Sequence, residues 1–252
     1  MKNEIVPQDR VVVRWFGVMF FAIHMPDTGY IFTDPYLCDT LKDVYGWERT
    51  IPPPFEVEEF EPAAVLISHD HLDHLDPNTL SRMRNFKDTL FLAAEDCCRH
   101  MRSLGIRDSD IVKISPGERH KIEGIEIVVV SSHHLPPKGP KPQAIGAIIK
   151  SKAKNVYFAG DTTYESYIVD KIKDTGEKND IAILPINGRG GNMPASDAPH
   201  MAYSLGASTI LPGHYGLIYE AGGDPYEVAY TILKLKLQVK VDIISFGGKA
   251  IY

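Results

Sequence analysis

What this chain lacks narrows its class before any motif is considered. It has only three cysteines, Cys38 and the adjacent Cys97 and Cys98, an odd number without framework spacing, which argues against a disulfide-stapled scaffold. It also has no apolar run fit to cross a bilayer, because the longest early one, WFGVMFFAIHM, is short and contains Gly17 and His24. The opening MKNEIVPQDR is charged and lacks the apolar stretch of a secretion signal. The expectation is a reduced, cytoplasmic protein with no membrane association. Basic charge is scarce too. With 27 Lys and Arg against 33 Asp and Glu, the net charge of −6 argues against a general nucleic-acid binder. Internal repeats, low-complexity tracts and domain linkers are absent.

What is there is a core-forming alternation of short apolar runs. In 252 residues, 44% hydrophobic, RVVVRWFG, VMFFAIHM and YIFTDP read as a meander of strands, with a turn at Pro26-Asp27-Thr28-Gly29. Residues 40–62, with three consecutive prolines in IPPPFE, read as a loop excursion. AAVLIS is compact enough for a buried strand, and Asp76-Pro77 opens a helix as N-cap and first helical residue. Strand–helix alternation continues from there. A hairpin turning at Glu123-Gly124 starts a second round, with helices expected near 164–174, 196–206 and 225–236 and two last strands in VDIISFGGKAIY. The pattern predicts an α/β (α+β) fold, with two sheets packed together and helices outside, as one domain over 1–252 whose pseudo-symmetric halves run roughly 1–118 and 119–252.

The chemistry concentrates in HDHLDH, immediately after VLIS. It places His69, His71, Asp73 and His74 where a loop leaves a buried strand. Imidazole nitrogens and carboxylate oxygens are the ligands that borderline divalent ions such as zinc favour. A loop leaving a strand can aim alternate residues in one direction, so His69 and His71 would share one ion, while Asp73 and His74 face another. The HExxH spacing of helical zinc proteases is absent. A site for two ions needs further ligands, and these stand at the ends of other apolar runs: His133 or His134 after IVVVSS, Asp161 after NVYFAG, and His214 after STILPG. Each has an ordinary alternative, such as a helix N-cap for Asp161. Their shared position at strand ends favours the common site.

The order H-x-H-x-D-H, then His, then Gly-Asp-Thr, then Gly-His-Tyr resembles the metallo-β-lactamase superfamily over nearly the whole chain. FTDPY, ISPGERHKIEGIEI, LPINGRGGNMPASDA and ILPGHYG narrow the likeness to the branch containing L-ascorbate-6-phosphate lactonase. The resemblance implies a four-layer αβ/βα sandwich with a two-metal site at one edge. It implies a first ion on His69, His71 and a third histidine, a second on Asp73, His74 and His214, and Asp161 bridging. Zinc is expected, ahead of manganese or iron. Strand alternation from Ile125, Ile127 and Val129 points to His133 ahead of His134 as that third histidine.

The implied activity is hydrolysis, with a metal-bound hydroxide attacking an ester, lactone or phosphoester of a small anionic metabolite. Asp73 would be the catalytic residue that orients water or passes on a proton. A phosphodiesterase or nuclease on the same fold, or a non-catalytic metal-binding module, are the alternatives. Around the ligands, Asp34 is a candidate to orient a ligating histidine, unless it forms an Asx-turn before Pro35. Asn187 is a candidate for the substrate or supporting shell. Tyr215 reads first as a core tyrosine, with donation to developing oxyanion charge as the functional alternative. Arg189, beside Gly190-Gly191, and Lys138 and Lys141 are candidates to hold an anionic group. A small-molecule substrate is the expected partner, and a homo-oligomer is permitted without being required.

Overall fold

The computed structural model describes residues 7, 9–25, 29–122, 124–134, 143–218 and 222–252. The first half supplies β1 (Val12–Trp15), β2 (Phe21–Met25), β3 (Gly29–Thr33), α1 (Thr40–Tyr45), β4 (Ala64–Ile67), α2 (Pro77–Met83), β5 (Leu90–Ala93), α3 (Glu95–Ser103) and β6 (Ile111–Lys113). The second supplies β7 (Arg119–Ile122), β8 (Ile125–Ser131), β9 (Ile145–Lys150), β10 (Val156–Phe158), α4 (Ser166–Lys173), β11 (Ile181–Pro185), α5 (Ala198–Ser204), β12 (Thr209–Gly213), α6 (Pro225–Leu235), β13 (Lys240–Val241) and β14 (Lys249–Ile251).

Two seven-stranded sheets result, ordered β14-β1-β2-β3-β4-β5-β6 and β13-β12-β11-β10-β9-β8-β7. Both follow one plan. An antiparallel meander (β1–β3, and β7–β10) passes into parallel strands joined by helices (β3–β6, and β10–β13). The halves are not fully separate, because β14 crosses back to pair antiparallel with β1, Val12 opposite Ile251.

Consecutive residues of a strand face opposite sides, and the first sheet uses both. Ala64 and Leu66 of β4 join a core shared with Ile127, Val129, Phe158 and Ile183 of the other sheet. Val65 and Ile67 join a second core beneath α2 and α3, with Leu80, Met83, Cys97 and Met101. Burial on both faces explains why β4 reads as a continuous apolar run, AVLI. On the other sheet, α4, α5 and α6 cover the outer face through Ile168, Met201 and Val228. The layers are helix, sheet, sheet, helix, the four-layer αβ/βα sandwich.

Asp76 caps α2 as expected, accepting the Asn78 N–H at 3.1 Å with Pro77 at the first turn. The same buried carboxylate accepts the Cys38 N–H at 2.9 Å and contacts Thr40 Oγ1. It thereby ties the segment after β3 to α2. That segment departs from expectation: 40–62 is not all loop, since Thr40–Tyr45 winds into α1 and Val57–Glu59 into a 3-10 turn upstream and downstream of the prolines. Among the described residues, no helix is long and apolar enough to cross a membrane.

Candidate metal centre

Six strands end at one edge of the sandwich, and each delivers a polar residue there: Asp34 after β3, Ser68 to His74 after β4, His134 after β8, Asp161 after β10, Asn187 after β11 and His214 after β12. Strand ends are rigid, so the side chains are held by the sheets and not by the loops that carry them. The loop after β4 turns tightly, with the His74 and Leu75 N–H groups both donating to the His71 carbonyl, and the fully buried Leu75 pins it to the core. Gly160, just before Asp161, sits at φ +59°, and a Cβ there would lie 2.7 Å from the Ser68 Cβ and 2.8 Å from the Ile145 carbonyl oxygen. Only glycine lets the Asp161 loop approach the β4 loop this closely.

Ligand-type atoms meet in three overlapping groups, each within 4.8 Å: His69, His71 and His134; His69, His74 and Asp161; Asp73, His74 and His214. His134 Nε2 lies 3.3 Å from His71 Nδ1. His214 Nε2 lies 3.3 Å from Asp73 Oδ2 and 3.4 Å from Asp161 Oδ2, and His74 Nε2 lies 3.4 Å from Asp161 Oδ2. Two ligands about 2.0–2.1 Å from a tetrahedral zinc stand roughly 3.3–3.4 Å apart, so these separations suit shared ions. His69 Nε2 and Asp161 Oδ1 are buried without a hydrogen-bond partner in the protein, although such atoms normally find one. Donor type, spacing and unpartnered atoms all fit divalent metal.

The network behind the ligands fixes their tautomers. Asp34 is wholly buried and accepts the Ser68 N–H on Oδ1 and the Ser68 hydroxyl on Oδ2, both at 2.7 Å. His74 Nδ1 stands 2.7 Å from the same Oδ2, and since a carboxylate only accepts, Nδ1 carries the proton and Nε2 offers its lone pair to the site. With its proton committed to Asp34, Ser68 Oγ can only accept from His69 Nδ1 at 3.0 Å, which frees His69 Nε2 in the same way. At His214 the side-chain amide of Asn187 lies 3.2 Å from Nδ1. Presenting the amide oxygen, which is otherwise an unpartnered buried Oδ1, would hold the Nδ1–H tautomer there too.

The electrostatics divide the cluster. Burial pushes the imidazoles of His69, His71 and His134 below the ordinary histidine range, so that side is a set of neutral donors. Burial opposes charge on His74 and His214 as well, but Asp161 and Asp73 outweigh it, raising His74 well above its ordinary value and His214 to about 9. Reciprocally, burial would raise the two carboxyls, yet His214 and His74 hold Asp161 well below its ordinary range, and His74 and His214 do the same for Asp73. The two buried carboxylates thus favour positive charge beside them, which divalent cations would supply. Three of the four described non-glycine residues with positive φ also gather here: Asp34 at +42°, His214 at +60°, and Val18 at +46°, whose carbonyl accepts the His214 N–H at 2.7 Å.

The expectation of His133 as the third histidine is corrected: His134 is buried in the cluster and His133 is not part of it. Alternation was carried beyond the strand, because β8 ends at Ser131. Past it, the His133 N–H donates to Thr162 Oγ1 at 3.0 Å, its carbonyl accepts the Thr163 N–H, and its ring packs beside Tyr167 at 5.3 Å. His133→Ala is therefore expected to leave metal content unchanged on elemental analysis, and a drop would return the ligand role to His133.

Tyr215 takes the core position and not the oxyanion role. It stacks on Trp15 with ring centroids 4.5 Å apart, its phenol is pushed up to about 12 by burial, and it lines a separate cavity of about 410 Å³ beyond the ligand cluster. The cluster itself opens into a cavity of about 860 Å³, where Asp73, His71, Asn187 and Arg189 are joined by Tyr45 and Trp47. Asp34 takes the orienting role and not the Asx-turn, and Asp161 caps no helix, since α4 starts at Ser166. Lys138 and Lys141 lie outside the described residues. Ser68 was overlooked in the sequence, although a small hydroxyl directly before the first ligand is its only signal.

A sequence profile of the family described as the beta-lactamase superfamily domain matches residues 35–215. Curated relatives include an uncharacterized protein of Mycobacterium tuberculosis, 28% identical over 237 residues, covering 86% of this chain and 63% of the relative. A probable L-ascorbate-6-phosphate lactonase of Salmonella choleraesuis is 26% identical over 225 residues, covering 80% of this chain and 61% of the relative. The chain thus spans less than two thirds of the length of these curated relatives. Among solved structures, a metallo hydrolase of the archaeon Ignicoccus hospitalis has a TM-score of 0.75 at 22% identity, covering 96% of this chain and 98% of that one. The isothiocyanate hydrolase from Delia radicum gut bacteria has a TM-score of 0.73 at 18% identity, covering 95% and 98%. At these identities the structural likeness speaks for the fold.

Proposed function

Because this chain belongs to the β-lactamase superfamily and has the metallo-β-lactamase fold, we propose that it is a metal-dependent hydrolase with a two-ion centre. The observation that carries this reading is the meeting of His69, His71, His134, Asp73, His74, His214 and Asp161 at one sheet edge, with buried ligand atoms lacking any protein partner. His69, His71 and His134 would hold one ion and Asp73, His74 and His214 the other. Asp161 Oδ2, 3.4 Å from His74 and His214 and 3.9 Å from His134, would stand between them. Nitrogen-rich donors favour zinc over manganese, with iron as a third choice. When bound, such ions supply Lewis acidity and a water acidic enough to ionise near neutral pH.

The chain's own residues do the rest. Asp34, Ser68 and Asn187 keep the imidazole lone pairs aimed inward. Asp73, whose side chain is 19% exposed and lines the cavity, would orient a water or accept its proton. Arg189 and Asn192 line the same cavity and can bind a polar or anionic part of a small ester, lactone or phosphoester. Arg189 is the only Lys or Arg among the cavity's described lining residues, which disfavours a nuclease. The test is elemental analysis of purified protein, expected to give about two divalent metals per chain, followed by turnover assays with lactones, phosphodiesters and phosphomonoesters. Metal-loaded protein that hydrolyses none of these classes would leave only a binding role.

A further inference from the structure

The cavity before the ligand cluster has a wall that the chemistry of hydrolysis does not use. Tyr45 and Trp47 line it, 59% and 42% exposed, with their rings 5.3 Å apart. Leu41, Leu72 and Ile218 line it as well. Large aromatics left in water beside a cluster of buried ligand groups need a reason, since exposing them forgoes their burial.

They are also held in place. Gly46, at φ +73°, closes α1 with its N–H on the Lys42 carbonyl at 2.9 Å, and the Trp47 N–H donates to the Leu41 carbonyl at 3.3 Å. Arg49 Nη1 donates to the Tyr36 carbonyl at 2.6 Å, and Nε to that of Ile51 at 3.2 Å. The Thr50 N–H donates to the Leu217 carbonyl at 2.7 Å, fastening this segment to the turn after His214. Tyr36 beneath is completely buried. A platform anchored at both ends loses little freedom when a ligand settles on it, which favours binding.

We propose that the substrate carries a flat apolar group, an aryl or comparable substituent, that lies on Tyr45 and Trp47 while its ester or lactone carbonyl faces the metal centre. This rests on the hydrolase reading above and commits it to an aryl-bearing ester class instead of a sugar phosphate. A sugar phosphate would match a wall of hydrogen-bonding and cationic groups, and Arg189 is the only Lys or Arg among the described lining residues. For phenyl acetate, water adds across the acyl C–O bond. A bond forms from the carbonyl carbon to the water oxygen, and the bond to the phenolic oxygen breaks with its electron pair going to that oxygen. One water proton passes to the leaving oxygen, giving acetic acid and phenol.

The test separates binding from turnover in the metal-loaded protein. The chain has two tryptophans, and Trp15 is buried against Tyr215, so changes in emission on adding ligand report chiefly on Trp47. Phenylacetate is expected to bind about tenfold or more tightly than acetate, and glucose 6-phosphate more weakly than phenylacetate, as a stacked ring contributes on the order of a kcal/mol. By calorimetry, Tyr45→Ala and Trp47→Ala are expected to abolish the preference for the aryl carboxylate while Trp47→Phe retains it. The same alanine variants should lower the ratio of KM for methyl acetate to KM for phenyl acetate, because only the aryl ester loses its platform. Equal affinity for phenylacetate and acetate, or a preference untouched by either alanine variant, overturns the proposal. Selective aryl binding with no hydrolysis of phenyl acetate, lactones or phosphoesters would sink the hydrolase reading and leave the aromatic subsite standing. Hydrolysis without aryl preference does the reverse.

Discussion

Asp161→Ala is expected to drop metal content from about two ions per chain to about one or fewer, the largest effect of any single substitution proposed. Asp161 is the one carboxylate that stands against both histidine sets, 3.4 Å from His74 and His214 and 3.9 Å from His134. Its Oδ1, like His69 Nε2 and His74 Nε2, is also buried without a hydrogen-bond partner in the protein. Two divalent ions a few ångströms apart repel strongly where burial lowers the dielectric, and a negative oxygen between them is the main offset. Alanine removes that charge, so occupancy of the second ion should fail first. Elemental analysis of the variant, with circular dichroism to show that it is folded, checks this. Retention of two ions by a folded Asp161→Ala protein would rule out a bridging role.

Much of this candidate site was legible in the sequence because a metal centre of the proposed kind restricts residue type so severely. His69, His71, Asp73 and His74 are the donor types such a centre needs, directly after an apolar strand. The same held for Asp161 and His214, each a single polar residue after a buried strand and a glycine. His134 was not legible. Alternation is a property of extended backbone, and it ended at Ser131, so it could not tell which of two adjacent histidines faces inward. Tyr215, next to His214 in sequence, does not share its site, because its ring stacks on Trp15 in the core.

The return of β14 to the first sheet and the winding of α1 among turn-forming residues depend on tertiary pairing. Segments of six and three residues carry too little periodicity to announce either. Ser68 and the Tyr45–Trp47 wall were missed because neither a serine nor an exposed aromatic is restricted to one use. Only their neighbours in space, Asp34 and His69 in one case and the cavity in the other, give them meaning.

Asp34→Asn is expected to weaken metal binding about 10–100-fold while the protein still folds, a range typical of residues that orient ligating histidines. The change is nearly isosteric, so packing is kept and hydrogen-bond polarity is what alters. Asp34 Oδ2 accepts from both Ser68 Oγ and His74 Nδ1, and Oδ1 accepts from the Ser68 N–H. An asparagine can satisfy only one side. With its oxygen toward the Ser68 N–H, its amide donates toward His74 Nδ1, the ring takes the other tautomer, and Nε2 carries a hydrogen into the site in place of a lone pair. With its oxygen toward His74, two N–H donors oppose each other at Ser68, at a cost of about 1–3 kcal/mol. Either outcome disturbs His74, and the first also releases the Ser68 proton that sets His69. The reading is the rise in melting temperature on adding Zn²⁺: a 10–100-fold loss of affinity removes about 1.4–2.7 kcal/mol of ligand stabilisation. A merely structural role for Asp34 would instead lower the melting temperature with and without zinc by the same amount and leave the zinc-induced rise intact.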